Sequence, residues 1–255
     1  MIAGADDLFH DIDPGDPGRT LTALRRRVDG RIVLTTSFGI EDQVLTHIIA
    51  TRHLDIEIAT LDTGRLFPET HDVWARTEER YGLRIRAVHP QAGALEDLVA
   101  RQGVNGFYAS VDNRKACCDV RKVAPLGRLL HGAAAWVTGL RADQSGTRAE
   151  VALSAWDGGQ GLIKVNPLAQ WTRADVAAFA ADHDVPVNAL HADGFLSIGC
   201  APCTRAVAPG EPERAGRWWW EAEAKKECGL HLTPDGRLAP AAASVSATPA
   251  HEVVA

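Results

Sequence analysis

The chain has 255 residues, 45% of them hydrophobic, which is enough to fill the core of one α/β domain with appended segments. Its formal net charge of -6 argues against a nucleic-acid-binding protein that relies on a broad cationic surface, so an anionic ligand must meet a local basic cluster. No stretch approaches the roughly 20 apolar residues of a membrane span, and the acidic, Pro- and Gly-broken start lacks a secretory-signal pattern.

In chain order, short aliphatic runs alternate with helix-length segments over the first half of the sequence. Strands are predicted at 31–37, 55–61, 84–90 and 133–140, with helices at 41–53, 68–81, 93–102 and 114–130. This alternation predicts an α/β fold with a mostly parallel sheet flanked by helices. Ligands of such sheets bind beyond the carboxyl ends of the strands, so the loops after residues 36, 61 and 139 are the predicted binding region.

The pattern changes after residue 150. Two short strands joined by a Gly-rich turn are predicted within 151–168, and an amphipathic helix at 172–183. From about residue 190 the chain is rich in loops, and its Ala/Pro/Ser/Thr-rich end has too little to bury. The predicted organisation is an N-terminal extension, an α/β domain, a mobile C-terminal segment and a disordered tail, at residues 1–30, 31–205, 206–238 and 239–255.

Four of the five cysteines form two short motifs. Cys117 and Cys118 are adjacent in KACCDVRK, and Cys200 and Cys203 form a C-x-x-C in SIGCAPCTR. Adjacent cysteines would close a strained ring on oxidation, so they make better sense as ligands than as a disulfide. A C-x-x-C alone leaves open a redox pair, half of a zinc site or part of a cluster site. In the cytoplasm, the predicted location, thiols stay reduced, and the two pairs together indicate one metal site.

The fifth cysteine, Cys228, lies in a cationic sequence. Lys225, Lys226 and His231 are within three residues of it. Positive neighbours lower the pKa of a thiol and so favour the reactive thiolate. This setting indicates a nucleophile rather than a buried filler.

The sequence resembles the assimilatory sulfonucleotide reductase family, specifically the iron-sulfur type of adenylyl-sulfate (APS) reductase. The matching segments, in family order between residues 31 and 231, are SFGIEDQVL, LDTGRLFPET, CCDVRKVAPL, GLRADQS, KVNPL, SIGCAPCTR, GRWWWE and KKECGLH. The cysteine pair, the C-x-x-C and the ECGLH are specific in combination, although none is specific alone. The resemblance implies an adenine nucleotide α-hydrolase-like fold, related to PP-loop proteins, with residues 31–205 as the nucleotide-binding domain that contains the cluster site.

The resemblance also implies roles for individual residues. APS would be reduced to sulfite and AMP, in assimilatory sulfate reduction, through an S-sulfo intermediate on Cys228. One four-iron four-sulfur (4Fe-4S) cluster would be bound by Cys117, Cys118, Cys200 and Cys203. Lys122 matches a lysine that links the cluster region to the sulfate of the substrate. The other residues implied in substrate binding are Ser37, Phe38, Gly39, Glu41, Asp42, Leu61, Asp62, Thr63, Arg121, Gly139, Arg141, Arg214, Arg217 and His231.

Thiolate attack on APS would require cations at the sulfate and a second protein to release the product. Attack of a thiolate on the sulfur of APS brings two anions together, so preorganised cations at the sulfate lower the barrier. Once Cys228 carries the sulfonate and the other four cysteines bind iron, no thiol of the chain is left to release it. Reduced thioredoxin or a similar dithiol protein is therefore the predicted partner. No nucleic acid or membrane partner is predicted, and a homo-oligomer stays open.

Three alternatives stay open in the sequence. The first is reduction of the 3'-phosphorylated analogue (PAPS), or of both substrates; PAPS needs extra cations at the ribose, and PAPS enzymes typically lack the four cluster cysteines. The second is a zinc-stabilised nucleotide-binding module, because zinc and a cluster use the same thiolates. The third is an adenylyl-transferring relative of the same fold, which would need an intact ATP pyrophosphate loop.

Overall fold

A six-stranded sheet forms the centre of the molecule in the computed structural model, which describes residues 8–144 and 151–221. The strands are β1 (Ile32–Thr36), β2 (Glu57–Leu61), β3 (Arg86–Val88), β4 (Ala135–Val137), β5 (Ser154–Asp157) and β6 (Leu162–Val165). Their spatial order is β3-β2-β1-β4-β6-β5, and every neighbouring pair is parallel except the hairpin of β5 and β6. The prediction of an α/β fold with a mostly parallel sheet is therefore confirmed.

Helices flank the sheet and connect its parallel strands. They are α1 (Pro17–Arg27), α2 (Ile40–Thr51), α3 (Pro68–Tyr81), α4 (Ala92–Gln102), α5 (Val111–Cys118), α6 (Ala124–Leu130) and α7 (Arg173–Asp182). Helix α3 has the bounds that the sequence predicts: Pro68 suits a first turn, and Gly82 ends the helix in the left-handed conformation at φ 61°. Within the described ranges, no helix is both long and apolar enough to cross a bilayer.

The region predicted as one helix at 114–130 consists of α5 and α6 joined by a π-helical turn, Asp119–Val123. Helix α5 begins earlier than predicted because the hydroxyl of Ser110 accepts the backbone N–H of Asn113. The wider turn lies directly before α6, whose second residue, Pro125, has no N–H to donate to a regular ladder. Hydrophobic periodicity alone does not predict this extra residue in the turn.

Helix α1 was not predicted, and it belongs to the main core. Asp16 caps it by accepting the N–H of Arg19 at 2.9 Å, and Pro17 opens it. Leu21 and Leu24 are fully buried in the same cluster as β1 and α2. From residue 8 onward, the segment predicted as an N-terminal extension therefore packs with the α/β domain.

The two faces of the sheet bury different clusters. On one face, α2 and α7 cover a large apolar cluster that includes Leu34 and Val137. On the other, α6 packs Leu126, Leu129 and Leu130 against the sheet. Burial of aliphatic side chains contributes roughly 1.5–3 kcal/mol each, so the short strands are fixed mainly by these contacts. Both layers leave the carboxyl ends of β1, β2 and β4 open to form a site.

Candidate active site

A cavity of about 260 Å³ lies at the carboxyl ends of β1, β2 and β4. The strand order reverses between β1 and β4, which is where open α/β sheets bind ligands. The predicted substrate-binding residues that line it are Ser37, Gly39, Glu41, Asp42, Leu61, Thr63, Lys122, Gly139, Arg214 and Arg217. The structure thus brings the three predicted loops together with the two arginines of the C-terminal segment, while the binding roles of these residues stay predictions.

The loop after β1 turns sharply into α2. Phe38 adopts a left-handed backbone conformation at φ 60°, and its buried ring stacks on Trp74 with the centroids 5.4 Å apart. Phe38 therefore faces the core and does not line the cavity. Gly39 follows at the N-cap of α2, where no side chain caps the first backbone N–H groups. Uncapped N–H groups and the helix dipole suit this end of the cavity to a phosphate or sulfate.

Asp42 joins the loops after β1 and β4. Its carboxylate accepts the backbone N–H of Ser37 at 2.7 Å and the Ser37 hydroxyl at 2.8 Å. Burial raises the pKa of Asp42 from 3.8 to about 6, although the bonds from Ser37 act in the opposite direction. A Cβ at Gly139 would lie 2.5 Å from Oδ1 of Asp42 and 2.9 Å from Cβ of Glu41. Only glycine at 139 allows these two loops to approach so closely.

Arg141 is fully buried and does not line the cavity. Its guanidinium pairs with three carboxylates, those of Glu41, Asp143 and Glu213. Burial, together with the charge of Glu41, raises the pKa of Glu213, although Arg141 acts to lower it. Arg141 therefore holds the start of α2, the loop after β4 and the C-terminal segment together. Contact with an anion of the substrate, the predicted role, requires at least one of these carboxylates to give way.

Other predicted residues lie outside the lining of this cavity. Asp62 accepts the backbone N–H of Gly64 at 2.8 Å, and buried Arg121 donates to the carbonyl of Thr63. Both side chains thereby shape the loop after β2. Cys228 and His231 lie outside the described residues, as do residues 222–238 of the segment predicted to be mobile.

The four cysteines predicted as metal ligands surround a second, smaller cavity. Cys117 and Cys118 end α5, whereas Cys200 and Cys203 belong to a short 3-10 turn. Phe107 and Trp218 pack against the thiols, all of which are buried except that of the half-buried Cys117. Two motifs far apart in the sequence thus supply four sulfur donors to one apolar pocket.

The two cavities are neighbours. Lys122 lines both of them, and the hydroxyl of Thr63 in the larger cavity lies 3.3 Å from the Sγ of Cys200. Burial opposes ionisation of Cys200, but the charge of Lys122, the bond to Thr63 and two arginines outweigh it and lower the pKa of this thiol. Burial and the adjacent Cys200 instead raise the pKa of Cys203 to about 12. The cationic groups therefore favour negative charge between the cavities.

Thiolates bind both mononuclear zinc and iron-sulfur clusters, which place their ligands differently. Among residues 8–144 and 151–221, no three His, Cys, Asp or Glu side chains are grouped as ligands of a single metal ion. Mononuclear zinc needs four ligands at about 2.0–2.3 Å from one centre. In an iron-sulfur cluster each thiolate binds a different iron, so the sulfurs need not converge on one point. Four thiols around a shared pocket are the donor set of a cluster of this kind, and zinc uses the same thiolates.

The segment after the C-x-x-C folds back onto it. The N–H of Trp218 donates to the carbonyl of Cys203 at 3.1 Å, and the Arg217 guanidinium lies 4.8 Å from the Trp218 ring centroid. A Cβ at Gly199 would lie 2.3 Å from Arg217, so this glycine makes room for the arginine at the cavity. Trp218 is buried, whereas Trp219 is 40% exposed.

Sequence reasoning missed several residues of the cavity wall, among them Lys164 and Trp136. Lys164 is buried, with its Nζ 4.6 Å from the ring centroid of Trp136, and both line the cavity. They lie opposite each other in the register of β4 and β6, and the indole N–H of Trp136 donates to Thr35. A signal was present, because a lysine in the otherwise apolar strand LIKV is unusual for a buried strand.

Most of the chain is similar to known proteins. Residues 31–206 match the family model described as the phosphoadenosine phosphosulfate reductase domain. A protein of Agrobacterium fabrum named adenosine 5'-phosphosulfate reductase is 53% identical over 214 residues, which cover 84% of this chain and 82% of the relative. A protein of the same name from Allochromatium vinosum is 54% identical over 211 residues, which cover 83% and 82%.

A solved structure has a similar fold. The crystal structure of a phosphoadenylyl-sulfate reductase from Candida auris, in complex with phosphate, superimposes with a TM-score of 0.65 at 25% identity. The superposition covers 75% of this chain and 90% of that protein.

Proposed function

This chain belongs to the sulfonucleotide reductase family, and we propose that it reduces adenylyl sulfate (APS) to sulfite and AMP in assimilatory sulfate reduction. The observation that carries the proposal is that Lys122 lines both the larger cavity and the cysteine cavity. A substrate with a sulfate at one end and a nucleotide at the other fits a site of this kind. The names of the close relatives support APS as that substrate.

The larger cavity supplies the groups that APS requires. Backbone N–H groups at Gly39 and the start of α2 would bind the phosphate. Lys122, Arg214 and Arg217, which line the larger cavity, would neutralise the sulfate. Because the attacking thiolate and the sulfate are both anions, these fixed cations lower the barrier in the transition state more than any other group of the site.

Cys228 is the proposed nucleophile. Its thiolate attacks the sulfur of APS, a sulfur-sulfur bond forms, and the bond from that sulfur to the phosphate oxygen breaks, so that AMP leaves. The enzyme then carries an S-sulfo group on Cys228. No electron from a metal centre is needed in this step, because the bonding pair comes from the thiolate and the leaving pair goes to AMP.

A dithiol protein such as reduced thioredoxin is the proposed partner for the second half of the reaction. One of its thiolates attacks the Sγ of Cys228 and displaces sulfite. The attacking sulfur and Cys228 are then joined in a mixed disulfide. The second thiolate of the partner then attacks the partner's sulfur in this mixed disulfide and releases the Cys228 thiolate. The partner is oxidised by two electrons to a disulfide, and the sulfur of the substrate is reduced to sulfite.

We assign one 4Fe-4S cluster to Cys117, Cys118, Cys200 and Cys203, on the fit of the donor set to this kind of centre. When bound, it would supply a fixed charge and a rigid link between the C-x-x-C and α5, beside the sulfate cations. We place the protein in the cytoplasm, where free thiols stay reduced. Whether it forms a homo-oligomer stays a prediction.

One anaerobic assay tests the proposed function. Protein with APS, and with thioredoxin added or omitted, is expected to release sulfite over many turnovers only when thioredoxin is present. Without it, wild type should gain the mass of one SO₃ group, and Cys228→Ser should not. An adduct on Cys228→Ser would reject the nucleophile. Faster reduction of PAPS than of APS in direct competition would reject APS as the preferred substrate.

A further inference from the structure

A buried ion pair joins α5 to Glu221, the last described residue of the C-terminal segment. Nε of Arg114 donates to Oε1 of Glu221 at 3.0 Å, and Nη2 donates to Oε2 at 2.8 Å. The two side chains are only 1% and 3% exposed. A bidentate arginine-carboxylate contact shielded from water fixes both groups in orientation as well as in distance.

Arg114, one member of the pair, lines the cysteine cavity. The guanidinium of Arg114 lies 4.7 Å from the ring centroid of Trp218, and Arg114 precedes Cys118 by one turn of α5. The N–H of Glu221 donates to the carbonyl of Trp218 at 2.8 Å, so residues 218–221 form a turn. The ion pair therefore ties this turn to the helix that carries the first cysteine pair.

The position of Glu221 limits where Cys228 can reach. Cys228 is the seventh residue after Glu221, and seven residue steps of fully extended chain span at most about 25 Å. The turn and its ion pair set the origin of this reach, beside Arg114 and Trp218 of the cysteine cavity. A less fixed origin would spread the accessible positions of the thiolate over a larger volume and so lower its effective concentration at the sulfate.

We propose that Arg114 and Glu221 are positioning residues, which fix the origin of the segment that carries Cys228 and thereby hold the nucleophile near the bound sulfate. This inference rests on the proposed function. Neither residue lines the larger cavity, so the pair acts on the attacking group and not on substrate affinity. A merely structural pair would instead change affinity and rate together, or change stability alone.

The C-terminal segment offers a matched control. Arg205, the residue before this segment, and Glu211 within it form a second bidentate pair, with both nitrogen-oxygen distances 2.9 Å. Their side chains are 40% and 33% exposed, and neither touches the cysteine cavity. Glu211→Gln thus removes the same type of carboxylate without moving the turn at residues 218–221.

The experiment compares wild type, Glu221→Gln and Glu211→Gln in an anaerobic single turnover with saturating APS and no reductant, following the S-sulfo adduct by intact mass. Dissociation constants for AMP and APS, and iron content, are measured on the same samples. For Glu221→Gln we expect adduct formation to slow at least about tenfold, with both dissociation constants within about twofold of wild type. Glu211→Gln should match wild type.

Two results would overturn the inference: adduct formation in Glu221→Gln at the rate of wild type, or a loss of APS affinity equal to the loss of rate. Arg114→Lys is a second variant if Glu221→Gln does not fold. It retains the charge but cannot make both bonds, and is expected to slow adduct formation at least threefold; an unchanged rate also counts against the pair. Absence of the adduct in wild type would instead reject the proposed function.

Discussion

The hydroxyl of Thr63 lies 3.3 Å from the Sγ of Cys200, so the loop after β2 contacts both the larger cavity and one of the four proposed cluster ligands. The same hydroxyl accepts the backbone N–H of Arg65 at 3.2 Å. A substitution of Thr63 therefore affects both the shape of the loop after β2 and the orientation of the Cys200 sulfur.

Thr63→Val removes the hydroxyl but keeps the shape of the side chain. Loss of one hydrogen bond typically changes stability by about 1 kcal/mol, so we expect iron release to a ferrous chelator to become about threefold to tenfold faster under anaerobic conditions. Thr63→Ser keeps the hydroxyl and serves as the control. Equal release from the valine and serine variants would show that the contact with Cys200 does not stabilise the site.

Gly139→Ala should weaken nucleotide binding. The new Cβ would lie 2.5 Å from Oδ1 of Asp42, and the carboxylate must move away from Ser37 to accommodate it. We expect the dissociation constant for AMP, measured by calorimetry, to rise at least about tenfold, or roughly 1.4 kcal/mol. Gly127→Ala is the control, because a Cβ there meets nothing within 4 Å and lies in a helix. Equal affinities of the two variants would contradict the prediction.

The buried carboxyl of Asp42 should make stability depend on pH. Burial raises its folded-state pKa from 3.8 to about 6, so between these values the unfolded state loses its proton first. Stability therefore falls as pH rises through this window, and ionised Asp42 is a cost at higher pH. Asp42→Asn removes that cost. The melting temperature of Asp42→Asn minus that of wild type should be larger at pH 8 than at pH 4. A difference that does not change with pH would argue against a raised pKa of Asp42.

Arg141→Gln should unfold the protein more easily even without substrate. Removing the guanidinium leaves the carboxylates of Glu41 and Glu213 close together and without their shared cation. Breaking a buried pair typically costs about 3–5 kcal/mol, which urea unfolding would detect. Arg205→Gln breaks the half-exposed pair with Glu211 and should cost less than about 1 kcal/mol. A stable Arg141→Gln variant that binds APS poorly would instead assign the arginine to the substrate.

The location of the site could be predicted from the sequence, because it depends on chain order. Aliphatic runs and intervening helices predict a parallel sheet, and a parallel sheet places its binding loops at one edge. The loops after β1, β2 and β4 do line one cavity, and the two cysteine motifs do meet. These results follow from topology and need no knowledge of where an individual side chain points.

The direction of individual side chains could not be predicted in this way. Phe38 lies inside a binding-loop motif, yet it turns into the core because the backbone there is left-handed. Arg141 lies in another motif, but carboxylates from three segments of the chain enclose it. Lys164 meets Trp136 only through the register of two strands that are not consecutive. Each outcome depends on packing between segments distant in sequence.

The π-helical turn Asp119–Val123 sets the rotation of α5 relative to α6. Helix α6 is fixed to the sheet through its leucines, whereas α5 carries Cys117 and Cys118. Each residue of a regular α-helix turns the chain by about 100°. Deleting one residue from this turn would therefore rotate the cysteine pair about the helix axis by about a quarter of a turn, away from the C-x-x-C. The length of five residues thus sets the angle at which the first cysteine pair meets the second.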